Sequence, residues 1–289
     1  MNQAQIRAFH AVATEGGFSA AARHLGLTQP AVTLQVKALE ARHGVSLFHR
    51  RGRKVGLTDA GRQLFGLTRR LLALEGEAEE LLSAIGQLRR GRLKVAADGP
   101  YHVIEILAAY HEQLPGVHVT VDIANSDALR RSLLAYECDV AVLAGASDDA
   151  AFHELPFRRH PLVLFVARDH PWGRRRRVRL AELQAAPMVL REEGSATRRI
   201  FEAALAAAGV TADAVLEIGS REAVHEAVAA GLGIGVVAAP ELGRDERLHS
   251  IEIADRKIES WEYVAALSER HGSPFIATFL DVAADLART

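Results

Sequence analysis

Apolar residues in the N-terminal part of the chain recur at helical spacing, in short runs that end at glycines. Ile6 and Phe9 belong to one such stripe, which predicts a first helix that ends at the glycine pair 16–17. Ser19 is then expected to cap a second helix over residues 20–25. Short helices in close succession predict a small helical module at this end of the chain.

A third helix is predicted to begin after Thr28, which suits an N-cap and is followed by Pro30 in the first helical turn. Only the short turn 26–27 separates it from the second helix. Two helices joined by such a turn form the helix-turn-helix unit of DNA-binding proteins. The alternative is an ordinary amphipathic helix whose outer face is merely solvated.

The outer face of the third helix carries the candidates for DNA contact. On a helical wheel of about 100° per residue, Val32, Val36 and Leu39 face the core. The opposite face is partly small and apolar, with one lysine. Hydroxyl and amide groups can meet base edges in the major groove, an apolar group can touch a thymine methyl, and a lysine can reach phosphate. The expected DNA-binding residues of the helix pair are Ser19, Thr28, Gln29, Pro30, Thr33, Leu34 and Lys37.

A basic segment follows between two strand-like pieces, residues 47–48 and 55–57. This pattern predicts a hairpin, or wing, whose cations track the sugar–phosphate backbone and make binding salt-dependent. Residues 1–57 hold eight Lys or Arg against two Glu, a net charge of +6, which leaves −7 for the rest of a chain of net charge −1. A basic head on an acidic body favours a phosphate-binding module. The wing residues are Arg50, Arg51, Arg53 and Lys54.

Residues 58–90 read as one long helix with an apolar seam whose spacing alternates between three and four. Such a seam needs a partner. Dimerisation is favoured because paired DNA half-sites call for two-fold symmetry, and packing against the rest of the chain is the alternative. The seam consists of Leu64, Leu67, Leu71, Leu74, Ala78, Leu81, Ile85 and Leu88.

The remainder alternates apolar strands with helices, which predicts α/β packing. Polar loops follow several strands, and ligands of α/β sheets bind beyond the carboxyl ends of strands. Ser or Thr caps and nearby arginines favour a small anion; caps without a ligand role are the alternative. The expected effector-binding residues are Asp98, Gly99, Pro100, Tyr101, Asn125, Ser126, Arg191, Ser195, Ala196, Thr197, Arg198, Ser220 and Arg221.

Composition excludes several other classes. The 289 residues contain no apolar run of membrane-spanning length, and the first nine lack the apolar core of a secretory signal. The single cysteine, Cys138, excludes an intramolecular disulfide, fits a cytoplasmic protein, and is expected to be a buried structural thiol. Histidines at no metal-ligand spacing and the absence of P-loop or hydrolase motifs predict no metal, no cofactor and no catalytic residues.

Two rival classes remain at this point. A solute-binding protein of a transport system would also be an α/β protein, with two lobes, but it would need a signal peptide or lipid anchor. An enzyme on such a fold would need a nucleophile or a cofactor lysine in the cleft. The chain has four lysines, and none lies in a proposed ligand loop.

The N-terminal motifs resemble the signature of LysR-type transcriptional regulators. The matching stretches are residues 9–13, 17–22, 28–33, 47–50 and 57–61, with Leu25 and the pair 39–40 between them. The resemblance implies a winged helix-turn-helix, a linker helix used in dimerisation, and a two-lobed α/β effector domain like type 2 periplasmic binding proteins. It also implies tetramers built of two dimers, and an effector that changes the angle between the lobes and so the bend of bound DNA.

The resemblance sets the expected domain limits. The winged helix-turn-helix domain covers residues 1–58, the linker helix 59–90 and the effector domain 91–289. Lobe I is expected at about 91–161 and 263–289, and lobe II at about 162–262.

A finer resemblance concerns residues 97–103, 194–199 and 218–224, which are similar to regulators associated with 2-aminoethylphosphonate catabolism. An amino-phosphonate would need anion donors and a partner for its ammonium group, which Asp98 and Tyr101 could supply. The expected function is therefore that of a ligand-responsive regulator of transcription, with double-stranded DNA and a small anionic metabolite, such as a phosphonate, as partners.

Overall fold

The computed structural model describes the backbone of residues 1–51, 54–85 and 90–288, and their side chains except those of 50, 51, 54, 80 and 83–85. The chain divides into two compact units, Met1–Glu79 and Glu80–Thr289. Within the described ranges, no helix is long and apolar enough to cross a membrane. Arg53 of the expected wing and Leu88 of the expected seam lie outside the described residues.

The first unit begins with three helices and a hairpin, as the sequence predicts. A small apolar core joins them. The rings of Phe9 and Phe18 lie 5.3 and 5.7 Å from that of Phe48 in the hairpin, and the inner face of the third helix is buried beneath them. The elements are α1 (Gln3–Glu15), α2 (Phe18–His24), α3 (Gln29–His43), β1 (Phe48–Arg51), β2 (Lys54–Leu57) and α4 (Asp59–Ile85), which continues past the end of this unit.

The expected cap of the second helix is wrong by two residues. Gly17, with extended backbone, is the N-cap of α2, and Ser19 is the second residue of the helix. Ser19 cannot cap because Phe18, which packs against the core, already lies in the helix. The predicted cap of α3 is confirmed, since the Thr28 hydroxyl accepts from the backbone N–H of Ala31 at 3.4 Å.

Helix α4 begins at a tightly bonded corner. The Thr58 hydroxyl accepts from the N–H of Gly61 at 2.9 Å and donates to the carbonyl of Ser46 at 2.7 Å. Gly61 lies directly against the backbone of Leu47, so a Cβ at this position would overlap the Leu47 carbonyl oxygen. The corner thus fixes where the wing ends and the long helix starts.

In the second unit, two groups of helices pack against the strands. Its strands are β3 (Gly91–Ala97), β4 (Val117–Ile123), β5 (Val140–Ala144), β6 (Phe152–Ala167), β7 (Arg177–Val178), β8 (Pro187–Arg191), β9 (Asp213–Ile218), β10 (Gly235–Ala238), β11 (Leu248–Ile253) and β12 (Glu259–Leu267). Its helices are α5 (Pro100–Gln113), α6 (Ser126–Leu134), α7 (Ala196–Ala207), α8 (Arg221–Ala229) and α9 (Pro274–Ala287), with 3-10 turns at Leu180–Leu183 and Ala239–Leu242.

Strand β6 belongs to two sheet regions. Its first part, from Phe152 to Pro161, pairs with β12 and joins the order β4-β3-β5-β12-β6, while its second part pairs with β10 and β11. We call the region of β3–β5, β12, α5, α6 and α9 lobe I, and the region of β7–β11, α7 and α8 lobe II. Each lobe has its own apolar core on either side of its strands. The expected domain limits stay a prediction.

Cys138 is free and buried beside β5, as expected. Burial, together with the neighbouring Asp139 carboxylate, raises the pKa of its thiol to about 12. Because the thiolate is the reactive form, this cysteine is a packing residue.

The corner of α4 gives a test by paired glycine substitutions. Gly61→Ala should lower the free energy of unfolding of the first unit by about 1–3 kcal/mol, because the new methyl group meets fixed backbone. Gly66→Ala in the same helix meets open space and should stabilise by about 0.5–1 kcal/mol through helix propensity. Urea denaturation followed by circular dichroism measures both, and equal effects would contradict the close contact at Gly61.

Candidate functional site

The outer face of α3 presents a row of polar and apolar side chains to solvent. Gln29 Nε2 donates to Thr33 Oγ1 at 2.9 Å, which fixes an amide beside a hydroxyl one turn along. Leu34 is 67% exposed, a large fraction for an apolar side chain. Lys37 is exposed further along the helix. Together these side chains offer an amide, a hydroxyl, an apolar group and a cation along one face of the helix. These are the groups that contact base edges, thymine methyls and phosphates in a major groove.

Glu40 is a positioning residue that the sequence analysis did not single out. Its carboxylate accepts from the backbone N–H of Leu47 at 2.7 Å and from that of Phe48 at 3.4 Å. The end of α3 is therefore bonded to the start of β1, the first strand of the hairpin. Because these partners lie seven and eight residues away along the chain, local sequence rules gave no signal for the bond.

The apolar seam of α4 is solvent-exposed from Leu67 to Leu81. Leu64 packs against the core of the first unit, whereas Leu67, Leu71, Leu74 and Leu81 are 67, 47, 52 and 53% exposed. The side chain of Ile85 is not described. A row of leucines in water is unfavourable by the hydrophobic effect, so this face is a candidate surface for a second helix.

The loop after β3 meets the start of α6 in lobe I. The Asp98 carboxylate accepts from the Ser126 hydroxyl at 3.0 Å and from the backbone N–H of Ala144 at 2.7 Å. Asn125 caps α6 through the N–H of Ala128 at 2.9 Å. Three strand ends, those of β3, β4 and β5, are thus bonded together, as the rule for sheet edges predicts.

The two lobes touch through polar contacts at the same edge. Asn125 Nδ2 donates to Glu192 Oε1 at 3.0 Å, and the N–H of Asp127 donates to the carbonyl of Gly194 at 3.2 Å. Gly194 has a φ of +90°, which disfavours side chains. The Arg199 guanidinium pairs with the Asp127 carboxylate at 3.1 Å. Glu192, Asp127 and Arg199 were not predicted site residues, because only the folded chain brings them together.

Several predicted effector residues are fully engaged in structural contacts. Ser195 and Ser220 cap α7 and α8. Arg198 is held by Glu217 at 2.7 Å, by Glu202 and by the carbonyl of Arg191. For these three side chains the geometry favours the alternative of ordinary caps and ion pairs. Tyr101, at 43% exposed, lies near Gly243 rather than in the cluster around Asp98.

A small cavity, with space for about one water molecule, lies between α7, α8 and the strands of lobe II. Three predicted effector residues line it: Arg191, Thr197 and Arg221. Its apolar wall consists of Phe165, Val224, Val236 and Val237, and His225 completes the lining. Two guanidinium groups and a hydroxyl beside an apolar wall are donors of the kind that bind a small oxyanion.

Buried carboxyls next to this cavity were missing from the sequence prediction. Arg221 Nη2 pairs with Glu241 Oε1 at 2.8 Å, with 10% and 3% of the two side chains exposed. Glu262 is 2% exposed, and its Oε2 has no hydrogen-bond partner. Glu241 lies in the 3-10 turn that directly follows β10, and Glu262 lies within β12, away from a strand end.

The electrostatics of these carboxyls follow from burial. Burial raises the pKa of Glu241 to about 7, against a lowering influence of Arg221. Burial and the charges of Asp98 and Glu241 raise the pKa of Glu262 well above its ordinary value. Burial likewise raises the pKa of Asp98, although Arg221 and two hydrogen bonds oppose the shift. Among the described side chains, no group of three or more His, Cys, Asp or Glu is arranged to hold a metal ion.

The comparisons with known proteins agree with this geometry. Residues 3–62 match the model of the bacterial regulatory helix-turn-helix protein of the lysR family, and residues 86–288 match that of the LysR substrate binding domain. The RuBisCO operon transcriptional regulator of Allochromatium vinosum is 34% identical over 224 residues, which cover 77% of this chain and 74% of that protein.

Solved structures are similar over the same regions. Full-length CbnR complexed with its target DNA is 25% identical, with a TM-score of 0.74 over 99% of this chain and all of that one. The CcmR regulatory domain of Synechocystis PCC6803 in complex with 2-PG is 27% identical, with a TM-score of 0.64 over 69% of this chain and 99% of that domain.

An exposed recognition face, a wing and a two-lobed ligand domain define a DNA-binding regulator of transcription that responds to small molecules. The chain belongs to the LysR family. The expected fold is confirmed: a helix-turn-helix unit precedes a two-lobed domain that fits the periplasmic-binding-protein type.

The buried carboxyl of Glu262, whose Oε2 has no hydrogen-bond partner, gives a pH-dependent prediction. Because its pKa is raised in the folded state, the stability it contributes is full below its ordinary value of 4.5 and is lost as the pH rises through the folded-state pKa. Glu262→Gln should therefore raise the unfolding free energy at pH 8 by about 1–3 kcal/mol and flatten its fall between pH 5 and 8.

The matched control is Glu252→Gln, an exposed glutamate of β11 paired with Arg177. It should shift the unfolding free energy by less than about 0.5 kcal/mol. Urea titrations of both variants across this pH range measure the effect. A Glu262→Gln variant as pH-dependent as the wild type would mean that this carboxyl does not carry the dependence.

Proposed function

We propose that the first unit binds operator DNA with α3 in the major groove and the β1–β2 hairpin along the backbone. The observation that carries this proposal is the outer face of α3, where Gln29 and Thr33 are bonded to each other above a buried inner face. The proposed DNA-contacting residues are Ser19, Thr28, Gln29, Pro30, Thr33, Leu34, Lys37, Arg50, Arg51, Arg53 and Lys54.

The protein acts as a dimer through α4 in this proposal. Its exposed leucines, from Leu67 to Leu81, supply an apolar seam that a second copy of the helix would bury. A dimer also places two recognition helices on two half-sites. The tetramer remains an expectation from the family resemblance. DNA binding makes the cytoplasm its place of action.

The effector is a small oxyanion bound in the cavity of lobe II. Arg191, Thr197 and Arg221 supply donors, and the surrounding side chains must move apart to admit the anion, because the cavity is small. The nearby strand-end loops, with Asp98, Gly99, Pro100, Asn125, Ser126 and Ala196, shape the cleft rather than contact the anion. Anion binding between these loops would alter the contacts that join the lobes, and so the angle between them.

The class of anion is best approached from the relatives. The structure of the CcmR regulatory domain contains 2-PG, so 2-PG is the first compound to test. The comparisons do not support membership in the group associated with 2-aminoethylphosphonate catabolism. The site also gives an ammonium group little support, since Asp98 is bonded to Ser126 and Ala144 and Tyr101 faces elsewhere.

The rival functions are not favoured. A transport solute-binding protein would have no use for the helix-turn-helix unit at residues 3–62. The relative reported above is named as a transcriptional regulator, which favours a regulator over an enzyme.

DNA contact by α3 is tested with a pair of lysine variants. Lys37→Ala should weaken binding to a promoter fragment and reduce the slope of log K against log salt by about 1, because one phosphate contact is lost. Lys257→Ala removes an exposed lysine of the second unit and should leave both quantities unchanged. Fluorescence anisotropy at several salt concentrations measures them. An unchanged slope for Lys37→Ala would remove Lys37 from the interface.

The effector cavity is tested with a pair of threonine variants. Thr197→Val keeps the shape of the side chain but removes a donor, and should weaken 2-PG binding by about three- to tenfold. Thr278→Val removes a hydroxyl that bonds the Pro274 carbonyl in α9, and should keep wild-type affinity. Calorimetric titration of the full chain measures both. Equal affinities of Thr197→Val and wild type would place the anion outside this cavity.

A further inference from the structure

Arg221 joins the two lobes at the start of α8. Its guanidinium pairs with Glu241 of lobe II and also lies directly against the backbone of Gly99 in lobe I, where a Cβ would overlap it. The same residue lines the cavity proposed for the effector. The buried Arg221 guanidinium therefore contacts an internal carboxylate, a loop of the opposite lobe and the proposed ligand cavity.

Carboxyl groups outnumber cationic groups around this arginine. Asp98 at the end of β3, Glu241 and Glu262 all act on one another and on Arg221. The other nearby cation, Arg191, is engaged in two hydrogen bonds with Glu192, at 2.8 and 2.9 Å. An oxyanion that enters the cavity adds a further negative charge to a cluster that already has more carboxyls than cations.

Glu241 makes with Arg221 the contact that an effector's acidic group would make, although it does not itself line the cavity. A carboxylate at 2.8 Å from the guanidinium is the geometry of a bound anion. Glu241 is only 3% exposed and cannot turn into solvent without opening the fold around it. Once separated from Arg221, it would be a buried charge among Asp98 and Glu262, and the low-cost form of such a group is the neutral acid.

We propose that Glu241 is an internal substitute for the effector: an oxyanion that binds Arg221 displaces the Glu241 carboxylate, which takes up one proton from solvent as the anion binds. The proposal rests on the proposed anion site and adds its regulation. One proton moves from solvent to a Glu241 carboxyl oxygen, where it forms an O–H bond, and no other covalent bond changes. Effector affinity then depends on pH, and Glu241 determines both the affinity and its pH dependence.

The surroundings of Glu241 define the pH range. The groups facing it are Arg221 from α8, Arg191 from the end of β8, Asp98 from the end of β3 and Glu262 from β12. In the free protein the pKa of Glu241 is raised to about 7 by burial, with Arg221 lowering it. Removing the influence of Arg221 raises this pKa further, so proton uptake occurs above pH 7 and affinity falls as the pH rises from there.

Sulfate is the sharpest probe because it is an oxyanion that does not itself titrate near neutral pH. We expect the affinity of the full-length protein for sulfate to fall above pH 7 by up to about tenfold per pH unit, the limit for one linked proton. Calorimetry at pH 8 in two buffers of different ionisation enthalpy should show uptake of close to one proton. Inorganic phosphate and 2-PG serve as further probes.

Glu241→Gln is nearly isosteric and carries no titrating group. At pH 8 only about a tenth of wild-type Glu241 is protonated, so this variant should bind sulfate about tenfold more tightly than wild type. It should also lose the proton uptake and the pH dependence. Glu246→Gln, an exposed glutamate five residues away, is the matched control and should behave as wild type.

The possible results distinguish the role of Glu241 from the existence of the anion site. Anion binding without proton uptake, and with equal affinity in Glu241→Gln, would overturn the role of Glu241 and leave the anion site intact. Failure of sulfate, phosphate and 2-PG to bind either protein would overturn both. Binding by Glu241→Gln alone would support the inference. Proton uptake by the wild type decides the matter even if the variant does not fold.

Discussion

The continuity of strand β6 through both lobes is the constraint on which the ligand domain depends. Its first part pairs with β12 and its second with β10 and β11, so the lobes share one backbone rather than a loose linker. Movement between them is therefore confined to changes at strand ends and to the polar contacts across the cleft. Changes in those contacts would act on the angle between the lobes rather than on their interiors, since packed cores deform little.

The polar contacts across the cleft are made by short-range bonds and by one buried cation. The bonds between Asn125 and Glu192, and between Asp127 and Arg199, lie where solvent can compete with them. The pair of Arg221 and Glu241 lies out of solvent, where electrostatic interactions are less screened. A ligand that acts on this buried pair has more influence on the relation between the lobes than one that acts at the rim.

The DNA-binding unit holds one helix, α3, rigidly with few residues. A cluster of three phenylalanine rings anchors the helices, and Glu40 bonds the end of α3 to the hairpin. Recognition helix and wing are thus parts of one packed body, which lowers the entropy cost of contacting base edges and phosphates together. The exposed leucines of α4 form the surface that is proposed above for dimerisation.

The sequence by itself determined the local elements, because periodicity, capping residues and glycine breaks act over a few residues. It predicted the helix-turn-helix, the cap at Thr28, the seam of α4 and the strand ends whose loops meet around Asp98. The cap at Ser19 was wrong because packing of Phe18 against the core decided where α2 begins. Only the tertiary structure placed Glu241 and Glu262 beside Arg221. Their importance comes from burial and from neighbours far along the chain, and no local pattern of residues encodes either.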